Sequence, residues 1–141
     1  MIKISKVDIK EYSKKFNIKT NLSSEKHSTR KGFYLKIYGG DIYGIGESAP
    51  IPGVSSESLE SVGYALQGFK LAVEDLNYHI NIEELLLLSR VHGDGLPSAI
   101  FCLESAIYDL FSKLTQNPIA HLLNPSYLPQ ININCIDSKF C

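Results

Sequence analysis

The chain has 141 residues, of which 44% are hydrophobic and 21% charged, and its formal net charge is −1. This composition is typical of a folded domain and argues against intrinsic disorder. The longest aliphatic run, residues 85–88, is far shorter than the roughly 20 apolar residues of a membrane span. The N-terminus has no apolar stretch of the signal-peptide kind, so we expect a cytoplasmic protein without a membrane partner.

The charge is unevenly distributed along the chain. Residues 1–36 carry ten lysines and arginines against three acidic side chains, whereas the remaining residues carry four basic and twelve acidic ones. A basic end favours an anionic partner. Because no nucleic-acid-binding motif accompanies the charge, we interpret it as a solvated strand face and a lysine-rich loop, and we expect no nucleic-acid partner.

The first residues have the alternating pattern of a strand. Ile2 and Ile4 alternate with polar residues, and the parity changes before Val7 and Ile9. A β-bulge at residues 5 and 6 would keep all four apolar side chains on one face of a sheet. Residues 17–32 are polar and weakly patterned, which predicts a long loop, and long loops in compact domains are often functional.

A β-hairpin is predicted next. Alternation returns at residues 33–38, is interrupted by Gly39, Gly40 and Asp41, and resumes at residues 42–46. Glycine supplies the positive φ that tight turns need, so these two segments predict adjacent antiparallel strands. With the first segment they form a three-stranded antiparallel meander.

Three helices are predicted after the proline-rich segment at residues 50–52. The first is capped by Ser55 or Ser56, with Glu57 in its first turn. The second begins near Asn81, where Glu84 completes a capping box. Its predicted buried residues are Ile82, Leu85, Leu86 and Val91.

The third helix begins at Pro97 and ends before Asn117. It has one stripe of large apolar residues and a second stripe of the small residues Ala99, Cys102 and Ala106. We therefore predict that it is packed on two sides. One further turn is predicted at residues 121–123. Residues 131–136 alternate as a strand that has no partner nearby in sequence.

Several possible sites have simpler explanations. Residues 44–49 match the dinucleotide pattern G-x-G-x-x-A, but prolines follow where that motif needs a helix. Neither the four histidines nor the three cysteines have metal-site spacing. Glu47 is interpreted as a partly buried structural carboxylate that accepts hydrogen bonds from backbone N–H groups of a neighbouring loop.

Two motifs carry a resemblance to a known family. GIGESAPIPGVSSE at residues 44–57 and LPSAIFCLESAIYDL at residues 96–110 resemble the N-terminal domain of the enolase superfamily. They are most similar to o-succinylbenzoate synthases of the muconate-lactonizing subgroup, and TRKG at residues 29–32 resembles a further family motif. The resemblance implies an α+β fold with a three-stranded antiparallel meander followed by a three-helix bundle.

The resemblance also implies a division of labour between two domains. Residues 1–125 would be the lid, and residues 126–141 the start of a truncated (β/α)₈ barrel, which takes about 250 residues when complete. The barrel supplies the base and the metal ligands in this family, so no catalytic and no metal-binding residue is assigned to this chain. No cofactor is expected in the chain itself, and Mg²⁺ is expected for the full-length enzyme.

Two lid loops would contact a small carboxylate substrate that is shared with the barrel. The residues assigned to them are Ser23, Ser24, His27, Arg30, Pro50, Ile51, Gly53 and Val54. Arg30 would suit a carboxylate, but its preferred interpretation is that it braces its loop. The implied reaction is the dehydration step of menaquinone biosynthesis, with the chain inactive alone. The alternatives are a lid of a dipeptide epimerase or muconate cycloisomerase, and a non-catalytic stand-alone module. Self-association is expected through the exposed barrel-facing surface, which is assigned to the small-residue stripe of the third helix.

Overall fold

The computed structural model describes residues 1–20 and 27–130, which form three strands followed by four helices. The antiparallel sheet has the order β1-β2-β3. Its strands are β1 (Lys6–Thr20), β2 (His27–Gly39) and β3 (Ile42–Ser48). The helices are α1 (Leu59–Glu74), α2 (Ile82–His92), α3 (Pro97–Thr115) and α4 (Ile119–Leu123). The predicted meander followed by helices is confirmed. The predicted strand at residues 131–136 lies outside the described residues.

The predicted loop at residues 17–32 is wrong over much of its length. β1 continues to Thr20 and β2 begins at His27, with Lys14 paired to Arg30 and Lys15 to Thr29. Backbone hydrogen bonds hold this part of the hairpin together, and they require no apolar alternation. Lys14 and Lys15 are also exposed, so the period-two pattern that indicates a half-buried strand is missing here.

The N-terminal segment contributes to the core as predicted, but its first residues are not part of the regular strand. Ile2, Ile4 and Val7 are buried, and Ile9 packs against them. The regular strand starts only at Lys6, and Ile2 forms an antiparallel bridge with Ile80 before α2. The change of parity therefore coincides with the start of β1, and no bulge at residues 5 and 6 is needed.

Helix α3 lies directly on β3. An added Cβ atom at Gly44 would lie 1.9 Å from the carbonyl oxygen of Ala106, and one at Gly46 would lie 1.9 Å from that of Cys102. The small-residue stripe of α3 is fully buried at this contact. The prediction that this stripe faces a missing barrel is therefore wrong, because the chain's own sheet covers it.

The other packed side of α3 contributes large apolar residues to the core. Leu103, Ile107 and Leu110 are fully buried in the same cluster as Phe69 of α1 and Leu85 of α2. The predicted two-sided packing of α3 is confirmed, with both sides covered by this chain. Among the described residues, no helix is both long and apolar enough to cross a membrane.

The predictions for α1 and α2 are confirmed only in part. The N-cap of α1 is Ser58, which forms a capping box with Ser61, instead of Ser55 or Ser56. The predicted capping box of Asn81 and Glu84 at α2 is present. Val91 is 61% exposed, because it lies about 200° around α2 from the buried Ser89.

Candidate functional site

Two segments predicted to contact substrate line one cavity of about 570 Å³. Arg30 approaches it from β2, and residues 50–53 approach it from the loop between β3 and α1. The remaining lining residues are Thr29, Lys31, Ser55, Ser56, Glu57, Ser58 and Leu59. His27 begins β2, whereas Ser23 and Ser24 lie outside the described residues. The cavity therefore combines basic side chains with an apolar, proline-rich wall.

A second cavity of about 730 Å³ adjoins the first and shares Arg30, Ser55, Ser56 and Glu57 with it. Its apolar wall includes Val54 and Phe101, which are 56% and 67% exposed. The sequence reasoning did not identify Phe101, because it lies outside both apolar stripes of α3. The sequence signal that could have identified it is a large apolar side chain on a side of α3 that is not expected to be buried. The two cavities together have basic, acidic and apolar lining residues.

The loop at residues 50–54 is closed by its own hydrogen bonds. The Ile51 N–H donates to the Ser55 hydroxyl at 2.9 Å, and the Ser55 N–H donates to the Ile51 carbonyl at 2.8 Å. Gly53 has a φ of +75°, a left-handed conformation that favours glycine. Ser55 therefore stabilises this turn, and it lies too far before Leu59 to be the N-cap of α1.

Glu57 lies before α1 and contacts the start of α3 instead. Its Oε1 atom accepts a hydrogen bond from the Ser98 N–H at 2.8 Å, and its Oε2 atom accepts one from the Ser56 hydroxyl at 2.9 Å. Hydrogen bonding from the side chain and backbone of Ser98 lowers the pKa of Glu57 from its usual 4.5 to about 2. The predicted place of Glu57 in the first turn of α1 is wrong.

The substitution Glu57→Gln is expected to lower the free energy of unfolding by about 1 kcal/mol at pH 7, since it removes a charge from a helix N-terminus. The folded-state pKa lies below that of the unfolded chain, so the ionised carboxylate stabilises the fold above pH 4.5. This contribution decreases as the pH falls toward 2. Urea unfolding between pH 7 and pH 3 measures it. A wild-type-to-variant difference that stays constant over this range would contradict the assignment.

Glu47 has a different environment from the predicted one. It is exposed, and it alternates along β3 with the buried Gly46 and Ser48. Its Oε1 atom accepts a hydrogen bond from the Tyr12 hydroxyl, not from backbone N–H groups. The Tyr12 ring stacks on Tyr34 at 4.6 Å, and burial followed by this hydrogen bond raises the pKa of Tyr12 to about 12. The partly buried position predicted for Glu47 is therefore wrong.

The described residues contain no group of three or more His, Cys, Asp or Glu side chains that could hold a metal ion. The Mg²⁺ ion implied by the resemblance is expected on the barrel domain, not on these residues.

Solved structures of larger proteins contain the same architecture. A dipeptide epimerase from Enterococcus faecalis V583, complexed with Mg and L-Leu-L-Tyr, has a TM-score of 0.72 at 20% identity, covering 86% of this chain and 34% of its own. The L-Ala-D/L-Glu epimerase from Bacillus subtilis has a TM-score of 0.72 at 22% identity, with 86% and 34% covered. A mandelate racemase/muconate lactonizing protein from Herpetosiphon aurantiacus has a TM-score of 0.65 at 17% identity, with 81% and 32% covered.

The fold is that of the N-terminal domain of the enolase superfamily, and the chain spans about a third of the length of these structures. Within that class, the family described as "MenC, N-terminal domain" matches residues 4–110, and the chain belongs to this family. The predicted resemblance is thereby confirmed. None of the curated proteins matches the sequence.

Proposed function

We propose that this chain is the substrate-covering lid of a Mg²⁺-dependent enzyme of the o-succinylbenzoate synthase type. The reaction is the dehydration that forms o-succinylbenzoate in menaquinone biosynthesis, a carbon–oxygen lyase reaction. Membership of the MenC N-terminal family supports this substrate class. The lid works with a barrel domain that provides the base and the metal ligands.

The observation that carries the proposal is that Arg30 and the loop at residues 50–54 border the same pair of cavities. A guanidinium group can form two parallel hydrogen bonds to a carboxylate, so Arg30 would orient one end of a dicarboxylate substrate. Ile51, Val54 and Phe101 would contact its ring, since apolar side chains line most ligand sites. Closure of this wall over substrate would exclude water from the reacting atoms.

A dipeptide is the main competing ligand class, because two of the similar structures are named as epimerases of dipeptides or of L-Ala-D/L-Glu. A dipeptide carries an ammonium group, and an ammonium group is best bound by a carboxylate that is free to accept it. The two carboxylates that line the second cavity, Glu47 and Glu57, already accept hydrogen bonds from Tyr12 and Ser98. A carboxylate has about four acceptor sites, so both could still bind an ammonium group. The dicarboxylate is preferred on the family match, and the titration below compares the two ligand classes directly.

The proposal is tested by titrating the isotope-labelled chain with millimolar o-succinylbenzoate while its backbone amide resonances are recorded. We expect shifts at Arg30, Ile51 and Val54, and we expect Arg30→Gln to weaken binding about tenfold or more through loss of a charge-assisted pair. The matched control is Lys36→Gln, on the outer face of β2 away from these cavities, which should leave binding unchanged. Equal or tighter binding of L-Ala-L-Glu would contradict the assigned substrate class.

A further inference from the structure

We infer that Glu57 is a positioning residue for the loop at residues 50–54. It holds this loop in place by connecting the segment that follows the loop to the N-terminus of α3. This inference rests on the proposed function, in which that loop covers substrate. Glu57 would not contact the ligand; it would set the position of the residues that do.

The first support is that the Glu57 contact joins two segments that are far apart in sequence. Glu57 and Ser98 are 41 positions apart in sequence, and the Glu57 carboxylate accepts the Ser98 N–H at 2.8 Å. The other carboxylate oxygen accepts the Ser56 hydroxyl, which lies beside the turn closed by Ser55. One side chain therefore connects the end of the loop segment to a helix that belongs to the core.

The second support is the state of the α3 N-terminus. Its N-cap residue is Leu96, no side-chain cap of its own is found within the described residues, and Pro97 occupies the first turn. Proline has no N–H, so the Ser98 N–H is the first helical donor that needs an acceptor. Glu57 provides that acceptor from another segment, and its negative charge suits the positive end of the helix.

The third support is a junction of three segments at Ser98. The Ser48 hydroxyl, at the end of β3, donates to the Ser98 hydroxyl at 3.0 Å. The segment that starts after Ser48 and ends at Glu57 therefore has both of its ends attached to one residue of α3. Between them, residues 52–54 are exposed and bury little apolar surface, so these end contacts determine how firmly the loop is held.

The experiment is residue-resolved hydrogen exchange on the 141-residue chain. We expect Glu57→Ala to speed exchange of the Ser98, Val54 and Ser55 amides by about fivefold, the factor that corresponds to loss of an N-cap. Amides in the first turn of α2 open locally without breaking the Glu57 contact, so they should keep their exchange rates, whereas amides in the centre of β2 follow the loss of global stability. Glu57→Gln retains the shape of the side chain and should give a smaller change at the same three amides, so the test remains valid if the alanine variant folds poorly.

Glu84→Ala is the matched control. Glu84 accepts the Asn81 N–H at the start of α2, so this variant also removes a carboxylate from a helix N-terminus, but far from the loop. It should speed exchange in the first turn of α2 and leave Val54 and Ser55 unchanged. A change at Ser98 alone would show that Glu57 caps α3 without positioning the loop. A uniform change at all amides would show a purely global effect. Either result overturns the inference while leaving the ligand-binding test of the proposed function independent.

Discussion

Replacing Gly46 with alanine is expected to destabilise the domain by more than about 3 kcal/mol, at or beyond the upper end of usual overpacking costs. The added Cβ atom would lie 1.9 Å from the Cys102 carbonyl oxygen and 2.8 Å from its carbonyl carbon. Both partners are backbone, on a strand and on a helix, so no side chain can rotate away to relieve the contact. Helix α3 would have to move off the sheet, and the burial of its small-residue stripe would be lost.

The measurement is urea unfolding followed by far-UV circular dichroism. Gly40→Ala is the control, since Gly40 lies in the β2–β3 turn with a φ of +66° and its Cβ would meet no atom of the described residues within 4 Å. That variant should cost only about 1–2 kcal/mol, the strain of a left-handed alanine. Equal losses for the two variants would mean that α3 does not rest on β3 as the structure shows.

Replacing Phe69 with alanine is expected to cost about 4 kcal/mol. Phe69 of α1 is 0% exposed and belongs to the core shared with α3 and the sheet. Its removal would leave a cavity among groups that can relax only in part, and phenylalanine deletions of this kind cost 3–5 kcal/mol. The same denaturant titration measures the loss.

The control for this variant is Phe101→Ala, which makes the same chemical change at a position that is 67% exposed. Its loss should stay within about 0.5 kcal/mol, as for most surface substitutions. A large loss at Phe101 with a small one at Phe69 would reverse the assignment of core and surface. Phe101 is thus separated from the core, as a residue available to a ligand must be.

The elements predicted correctly are those specified by neighbouring residues. The turn between β2 and β3 depends on Gly40, which has a positive φ, and the capping box of α2 joins Asn81 to Glu84 within one turn. Helix α3 begins at its predicted proline and ends at Thr115. Each of these signals acts over a few residues, so it can be recognised without knowledge of the tertiary structure.

The incorrect predictions concern contacts between distant segments. The end of β1 at Lys14 and Lys15 lacks alternation because both residues are exposed, and its pairing with β2 makes it a strand. The small-residue stripe was correctly predicted as a packing surface but assigned to the wrong partner. Its partner is the glycine pair of β3, about 60 positions earlier in the chain, and periodicity does not indicate which surface covers a helix face.

The candidate site also contains residues that the sequence motifs indicated and residues that only the structure revealed. Its two segments were assigned by family motif, and the structure places Arg30 beside the loop at residues 50–54. The roles assigned to these residues remain predictions. Glu57 and Phe101 belong to the site only because α3 passes beside the loop, and no pattern near either residue indicates this.

By itself, the sequence determined the order of strands and helices, the hairpin turn, the limits of α3 and the family, because these follow from short-range patterns and motifs. Only the tertiary structure decided that α3 is covered by its own sheet, that Glu57 acts at a helix 41 positions away, and that Glu47 is exposed. The physical reason is that packing and hydrogen bonding between distant segments depend on how the chain folds back, whereas helix caps and turns depend on adjacent residues.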